Sequence, residues 1–254
     1  MNPQAQVNPQ TPPDLSWPEA QKILVILAHP DDPEFFCGAT LARWARAGHH
    51  ITYALLTCGD KGRNDHNKDI PGDELCALRH DEQAAAASVI GVEAVHFLDW
   101  PDGCLVPSID LRRDVVRQIR RYKPDVLVTC DPETLFPKGS YRLNHPDHRY
   151  AGQVVLDAVF PAAGNDLYFP ELLAEGLEPH QPGEVWVSLT NEPDVILDVT
   201  DTWEVKLNAL KAHKSQIGDP VEFEQRIRSR HTEDSTDEAP RYEERFRVIR
   251  WRQA

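Results

Sequence analysis

The chain has 254 residues, with 27 Lys plus Arg against 41 Asp plus Glu, a formal net charge of −14 with neutral histidines. That length suits one large domain or two small ones, with a core that needs no staples, and 41 % hydrophobic with 27 % charged residues excludes wholesale disorder. The acidic balance argues against nucleic acid and against anionic membrane surfaces, both of which call for clustered Lys and Arg.

Residues 1–20 are rich in proline and carry neither a basic stretch nor an apolar run, so they read as a disordered arm and not as a signal peptide. Residues 21–254 read as a single domain. No run approaches the roughly 18 apolar residues of a membrane span. The five cysteines, at 37, 58, 76, 104 and 130, show neither a CxxC pair nor disulfide spacing, which points to free thiols in a reducing cytoplasm.

From Lys22 to Gly164, short apolar runs alternate with stretches of helical period, the pattern of parallel strands joined by crossover helices. KILVILA (22–28), ITYALLT (51–57), AVHFL (94–98) and DVLVTC (125–130) are apolar enough to be strands covered on both faces. Helices are predicted over Ala39 to Ala47, Asp73 to Ile90 and Ser108 to Tyr122, stopped by Gly48, Gly91 and Pro124. In the third, Leu111, Val115, Ile119 and Tyr122 make the buried stripe, and arginines 112, 113, 117, 120 and 121 fall on a solvated face. A long loop, 131–145, precedes a fourth helix from Pro146 to about Phe160, and a loop of that length in a compact domain is expected to be functional. Beyond Pro161 come two strands, EVWVSL and DVILDV, a helix from Thr202 to Lys214, and the strand-like RFRVIRW. The whole reads as a Rossmann-like α/β fold: a mostly parallel sheet with helices on both faces and a C-terminal elaboration.

In such sheets ligands bind beyond the carboxyl ends of the strands. After the first strand stand His29, Pro30, Asp31 and Asp32. Two adjacent carboxylates beside an imidazole push one another toward protonation unless a cation offsets them. His29 and Asp32 offer donors that zinc accepts, leaving Asp31 free to handle a proton; the same residues also suit a plain loop whose Asp residues cap the next helix. After the fourth strand comes Asn144-His145-Pro146-Asp147-His148-Arg149. His148 shares the inward face with Ala151, Val155 and Ala158, and the positive end of the helix dipole favours its neutral form. The same field disfavours a protonated His145 unless Asp31 or Asp147 relieves it. His29, Asp32 and His148 would give three protein ligands with an open position, the arrangement of a catalytic zinc.

These residues resemble the zinc-dependent de-N-acetylases of the PIG-L and LmbE-like family. AHPDD at 28–32, with Glu34 and Gly38 to Ala42, is similar to the family's first motif, and HPDHR at 145–149 to its second. Arg79, Glu82, Pro101-Asp102-Gly103 and AHKSQ at 212–216 fall in the family's order, so the resemblance covers Ile23 to Gln216. It implies one Zn²⁺ per chain on His29, Asp32 and His148, Asp31 as general base, and His145 stabilising the oxyanion and helping to protonate the leaving amine. It also implies sugar contacts from Arg79 and Asp102, a small-molecule amide substrate carrying an amino sugar, and a homo-oligomer. Helical spacing offers another reading of Arg79, as a buried i, i+3 pair with Glu82 on a stripe with Leu75, Leu78 and Val89. Where the family tends to show Gly-Glu-x-Gly after the second strand, this chain has Gly59-Asp60-Lys61-Gly62-Arg63. His213 alone reads as a helix C-cap, and the cysteines as small buried residues. Two other functions stay open: a metal-dependent phosphoesterase, which needs more bridging carboxylates, and a non-catalytic sugar or nucleotide module. A dinucleotide site is disfavoured by HPDD where G-x-G-x-x-G would be required.

Overall fold

The computed structural model describes residues 17–139 and 142–251. Strands β1 (Lys22–Leu27), β2 (His50–Leu55), β3 (Ala94–Phe97), β4 (Val126–Cys130), β5 (Glu184–Ser188), β6 (Val195–Asp198) and β7 (Glu243–Arg250) form one sheet in the order β3-β2-β1-β4-β5-β7-β6. Pairing is parallel from β3 to β5, and antiparallel where β7 joins β5 and β6 joins β7. This is the Rossmann-like α/β architecture, with β6, β7 and the helices between them as the elaboration. β1 and β4 are central and almost wholly buried. β3 is only half-buried at all four positions, because it is the edge of the sheet and not a strand covered on both faces.

The helices are α1 (Asp32–Arg46), α2 (Gly72–Ile90), α3 (Ile109–Tyr122), α4 (Pro146–Asp157), α5 (Glu171–Ala174), α6 (Trp203–Leu210), α7 (Lys214–Ile217) and α8 (Pro220–Arg228). α1 starts well before the expected Ala39. Pro33 fits its first turn, Asp32 and Glu34 favour the positive end of its dipole, and non-helical backbone at Cys37 divides this turn from the periodic part. Ser108 caps α3 by accepting from the Leu111 N–H at 3.1 Å, and Leu111, Val115 and Ile119 are fully buried.

Arg120 departs from the solvated face assigned to it. It is fully buried and donates to the carbonyls of Ala162, Ala163, Asn165 and Tyr168. These carbonyls cluster because α4 passes at Ala158–Ala163 into a π-helical turn with non-helical Phe160 and Pro161 inside it, instead of running on to Phe160 as α-helix. The guanidinium's five donors satisfy them. The helix expected over Thr202 to Lys214 is split between α6 and α7, and α8 was not foreseen. Order also begins within the predicted arm: Trp17 packs on Trp44, ring centroids 5.2 Å apart. Residues 1–16 of that arm lie outside the described residues.

β1 and β4 are neighbours, yet the chain leaves β1 toward β2 on one side and β4 toward β5 on the other. The segments after them therefore diverge and leave a crevice at their carboxyl ends. Gly152 lets α4 close one wall of it, since a Cβ there would lie 2.1 Å from the Cys130 carbonyl oxygen.

Candidate active site

His29, Asp31, Asp32, Arg79, Asp102, His145 and His148 all line one cleft of about 300 Å³ in this crevice, with Phe35, Phe36 and Lys61. Asp32 lies between two imidazoles. Its Oδ1 is 3.1 Å from His148 Nε2, and its Oδ2 is 3.4 Å from His29 Nδ1 and accepts the His29 backbone N–H at 2.8 Å. Burial pushes the Asp32 carboxyl up, but the charges of His148 and His29 outweigh it and hold the group well below the usual carboxylate range.

The far side of each imidazole is anchored. His148 Nδ1 meets Asn144 Oδ1 at 2.9 Å, and His29 Nε2 meets Asp102 Oδ1 at 3.1 Å and Asp147 Oδ2 at 3.5 Å. Burial lowers the His29 pKa, and Asp32, Asp102 and Asp147 together carry it far above the ordinary value. Burial likewise opposes Asp102, but the hydrogen bond and charge of His29 bring its carboxyl down to about 2. Donors on one tetrahedral zinc, each about 2.0–2.1 Å from the metal, sit roughly 3.3 Å apart. The 3.1 and 3.4 Å spacings, from the two different oxygens of Asp32, are each near that value, one donor atom each of His29, His145 and His148 lies within 4.8 Å of the others, and partners behind the rings are the usual orienting shell of metal-bound imidazoles.

Asp31 precedes α1 in a left-handed conformation, φ 83°. Its N–H donates to Gln83 Oε1 at 2.8 Å, and its Oδ2 accepts from Arg79 Nη2 at 3.1 Å. Burial raises the Asp31 pKa against the pull of Arg79. His145 caps α4 by accepting the Asp147 N–H on Nδ1 at 3.2 Å, which places a neutral ring's proton on Nε2. Burial, then the charges of His29 and His148, lower its pKa and keep it neutral.

Arg79 does not pair with Glu82. It reaches the carbonyls of Gly59 at 2.8 Å and Pro30 at 2.6 Å, and its buried Nε has no hydrogen-bond partner among the described residues. Gly59 is required here: its φ is 71°, and a Cβ would lie 2.1 Å from Arg79 Nη1. Glu82 instead accepts from the Ser215 N–H and hydroxyl, both at 2.7 Å. Leu78 and Val89, expected on its stripe, are 36 % and 43 % exposed, and the buried apolar face of α2 is Leu75, Ala86, Ala87 and Ile90.

Several functional neighbours were not legible as such. His213 is no C-cap: it is buried, with Nε2 3.2 Å from Glu34 Oε2. Glu34 also accepts from Gln83 Nε2 at 3.0 Å, so a buried chain runs from His213 through Glu34 and Gln83 to the Asp31 backbone. The AHKSQ segment was the only signal of it. The free-thiol reading fails for two cysteines: Cys58 and Cys76 form a disulfide, Cα atoms 5.2 Å apart, because the segment leaving β2 folds back against the first turns of α2. The cysteines therefore give no ground for a reducing compartment. Cys37 and Cys130 are buried, whereas Cys104 is exposed beside Lys61 Nζ at 3.2 Å.

Two imidazoles and a carboxylate converging at the switch point of an α/β sheet, with a second carboxylate alongside, are the makings of a metal-dependent hydrolase. The chain belongs to the GlcNAc-PI de-N-acetylase (PIG-L) family, whose profile matches residues 24–159. It is 33 % identical over 203 residues to the diacetylchitobiose deacetylase of Thermococcus kodakarensis, covering 80 % of this chain and 73 % of that one. It is 27 % identical to a probable N-acetyl-alpha-D-glucosaminyl L-malate deacetylase 2 of Bacillus cereus, covering 76 % and 83 %. The solved structure of N,N'-diacetylchitobiose deacetylase from Pyrococcus horikoshii superposes with a TM-score of 0.81 at 29 % identity, covering 96 % of this chain and 88 % of that one.

Proposed function

We propose that the chain hydrolyses the N-acetyl group of a small N-acetylglucosamine-containing molecule, with one zinc ion held by His29, Asp32 and His148. The observation that carries this reading is Asp32 set at ligand spacing from both imidazoles with Asp31 beside it in the same cleft. Zinc bound there supplies Lewis acidity, which acidifies water and polarises an acyl carbonyl. Asp31 takes the proton of the attacking water, and its raised pKa suits it to return that proton to the departing amine. His145, neutral with its proton on Nε2, donates a hydrogen bond to the developing oxyanion, a contribution typically worth about 2.7–4 kcal/mol. The family resemblance implies in addition that His145 helps to protonate the leaving amine. Arg79 lines the same cleft, where the family resemblance implies a sugar contact.

Asp102 is better placed as the anchor of His29 than as a sugar contact, since its oxygens already meet His29 Nε2 and the Lys61 N–H. Asp147 likewise accepts the N–H groups of Gly103 and Leu105. One donor atom each of His29, Asp102 and Asp147 lies within 4.8 Å of the others, so a second metal is tested by stoichiometry, with one equivalent expected for the deacetylase and two for a phosphoesterase. No described helix is long and apolar enough to cross a membrane. Acetate release from diacetylchitobiose and other N-acetylglucosamine conjugates tests the proposal. Release should stop on chelation and return with Zn²⁺; release that survives complete metal removal would overturn it.

A further inference from the structure

At the β3 edge of the same sheet, a second set of donors converges from three elements and shares no residue with the cleft. Cys58 follows β2, Asp99 follows β3, and Cys76 and His80 stand one turn apart on one face of α2. One donor atom from each of the four lies within 4.8 Å of the others. His80 Nε2 is 3.2 Å from Asp99 Oδ1 and 3.9 Å from Cys76 Sγ. The imidazole is fixed by stacking on Phe97, centroids 3.6 Å apart at 18°. A disulfide staple with an unrelated surface ion pair would need neither the convergence of Asp99 and His80 on the sulfurs nor a clamped ring.

We propose that in the reduced protein Cys58, Cys76, His80 and Asp99 bind a zinc-type cation, so that this corner of the fold exchanges a disulfide for a metal crosslink. A dithiol reductant gives two electrons and two protons to the S–S bond, yielding two protein thiols and an oxidised dithiol. The metal then takes up two thiolates with release of two protons. Breaking the S–S bond lets the sulfurs separate to the roughly 3.7 Å that two thiolates on one tetrahedral zinc require. Two thiolates, an imidazole and a carboxylate complete four-coordination, which makes the site closed and structural. Either crosslink ties the segment carrying Gly59, whose carbonyl accepts from Arg79 Nη1 at 2.8 Å, to the helix carrying Arg79.

The test uses Co²⁺ as probe on the full chain, reduced with a dithiol and freed of it by anaerobic gel filtration. The reduced protein should show a near-ultraviolet thiolate-to-cobalt charge-transfer band that saturates at one Co²⁺ per chain beyond any bound in the cleft and is bleached by Zn²⁺. The His29, Asp32 and His148 set contains no thiolate and cannot give this band. The oxidised protein should lack it. His80→Ala and Asp99→Asn, which keep both cysteines, should each weaken the titration at least tenfold. No band in folded, reduced wild type would overturn the proposal, and so would a band whose affinity neither substitution changes. No substrate enters the measurement, so either outcome leaves the deacetylase reading to its own assay.

Discussion

Helix α1 touches two clusters of buried charge that are built on opposite principles. In one, Lys206 Nζ meets Glu244 Oε1 at 2.7 Å, both side chains under 5 % exposed, and the spare valences go to α1: Lys206 donates to the Phe35 carbonyl, and Glu244 accepts from the Ala39 and Thr40 N–H groups. One cation answers one anion and nothing opens to solvent. In the other, Asp32, Asp102 and Asp147 crowd around a single imidazole, His29, along an open cleft. Matched charge closed on all sides holds elements together. Carboxylates in excess beside an opening leave room for a cation from outside, and that imbalance separates the site from the scaffold.

Substitution at the proposed ligands should have the largest effect. His148→Ala or Asp32→Ala should lose most bound zinc and cut turnover by more than the roughly 10–100-fold that outer partners of a metal site cost. A full metal equivalent in either purified variant would remove that residue from the ligand set. At the closed cluster the effect should fall on stability alone. Lys206→Met leaves Glu244 buried without its cation, at a cost of about 3–5 kcal/mol. That corresponds to roughly 6–20 °C in Tm for a chain of this size, with metal content unchanged. A thermal scan that moves by only a degree or two would show that the pair does not hold α1.

Asp31→Asn comes next, since it should keep the metal and lose at least about 100-fold in kcat, close to 2.7 kcal/mol of barrier. Near wild-type turnover would exclude Asp31 as the base. The variant also sharpens the contrast, because Asp31 is the carboxylate of the cleft whose pKa is raised and not held down.

The cleft was legible from sequence because its ligands sit in two short contiguous motifs at strand ends, where local order fixes position. His29, Asp31 and Asp32 cannot be far apart, and the α/β pattern brings the end of β4 beside the end of β1. Support from distant residues was not legible. Gln83 reaches Asp31 across 52 positions and His213 reaches Glu34 across 179, and no periodicity encodes such meetings. Arg120 misled for a related reason: five arginines on one amphipathic helix look alike in sequence, and only the open carbonyls of the π-helical turn draw one of them inward. The disulfide was missed because pairing depends on Cα approach and not on spacing.

The smallest effect belongs to the His213–Glu34 pair. Burial lowers the His213 pKa, but the hydrogen bond and charge of Glu34 outweigh it and leave the group raised. A group protonated more tightly in the folded state stabilises fully below its unfolded value near 6.5, and that stabilisation is lost as pH rises through the higher folded value. Tm should therefore fall with rising pH above about 6.5, apart from what other groups contribute. The double variant His213→Gln with Glu34→Gln removes both partners, so no lone charge is left buried, and it should flatten that fall. The difference between the two Tm–pH curves isolates the pair, and parallel curves from pH 6 to 9 would show that the pair carries no folding-linked proton. It would then join the cleft only through Gln83, as a neutral tether on Asp31.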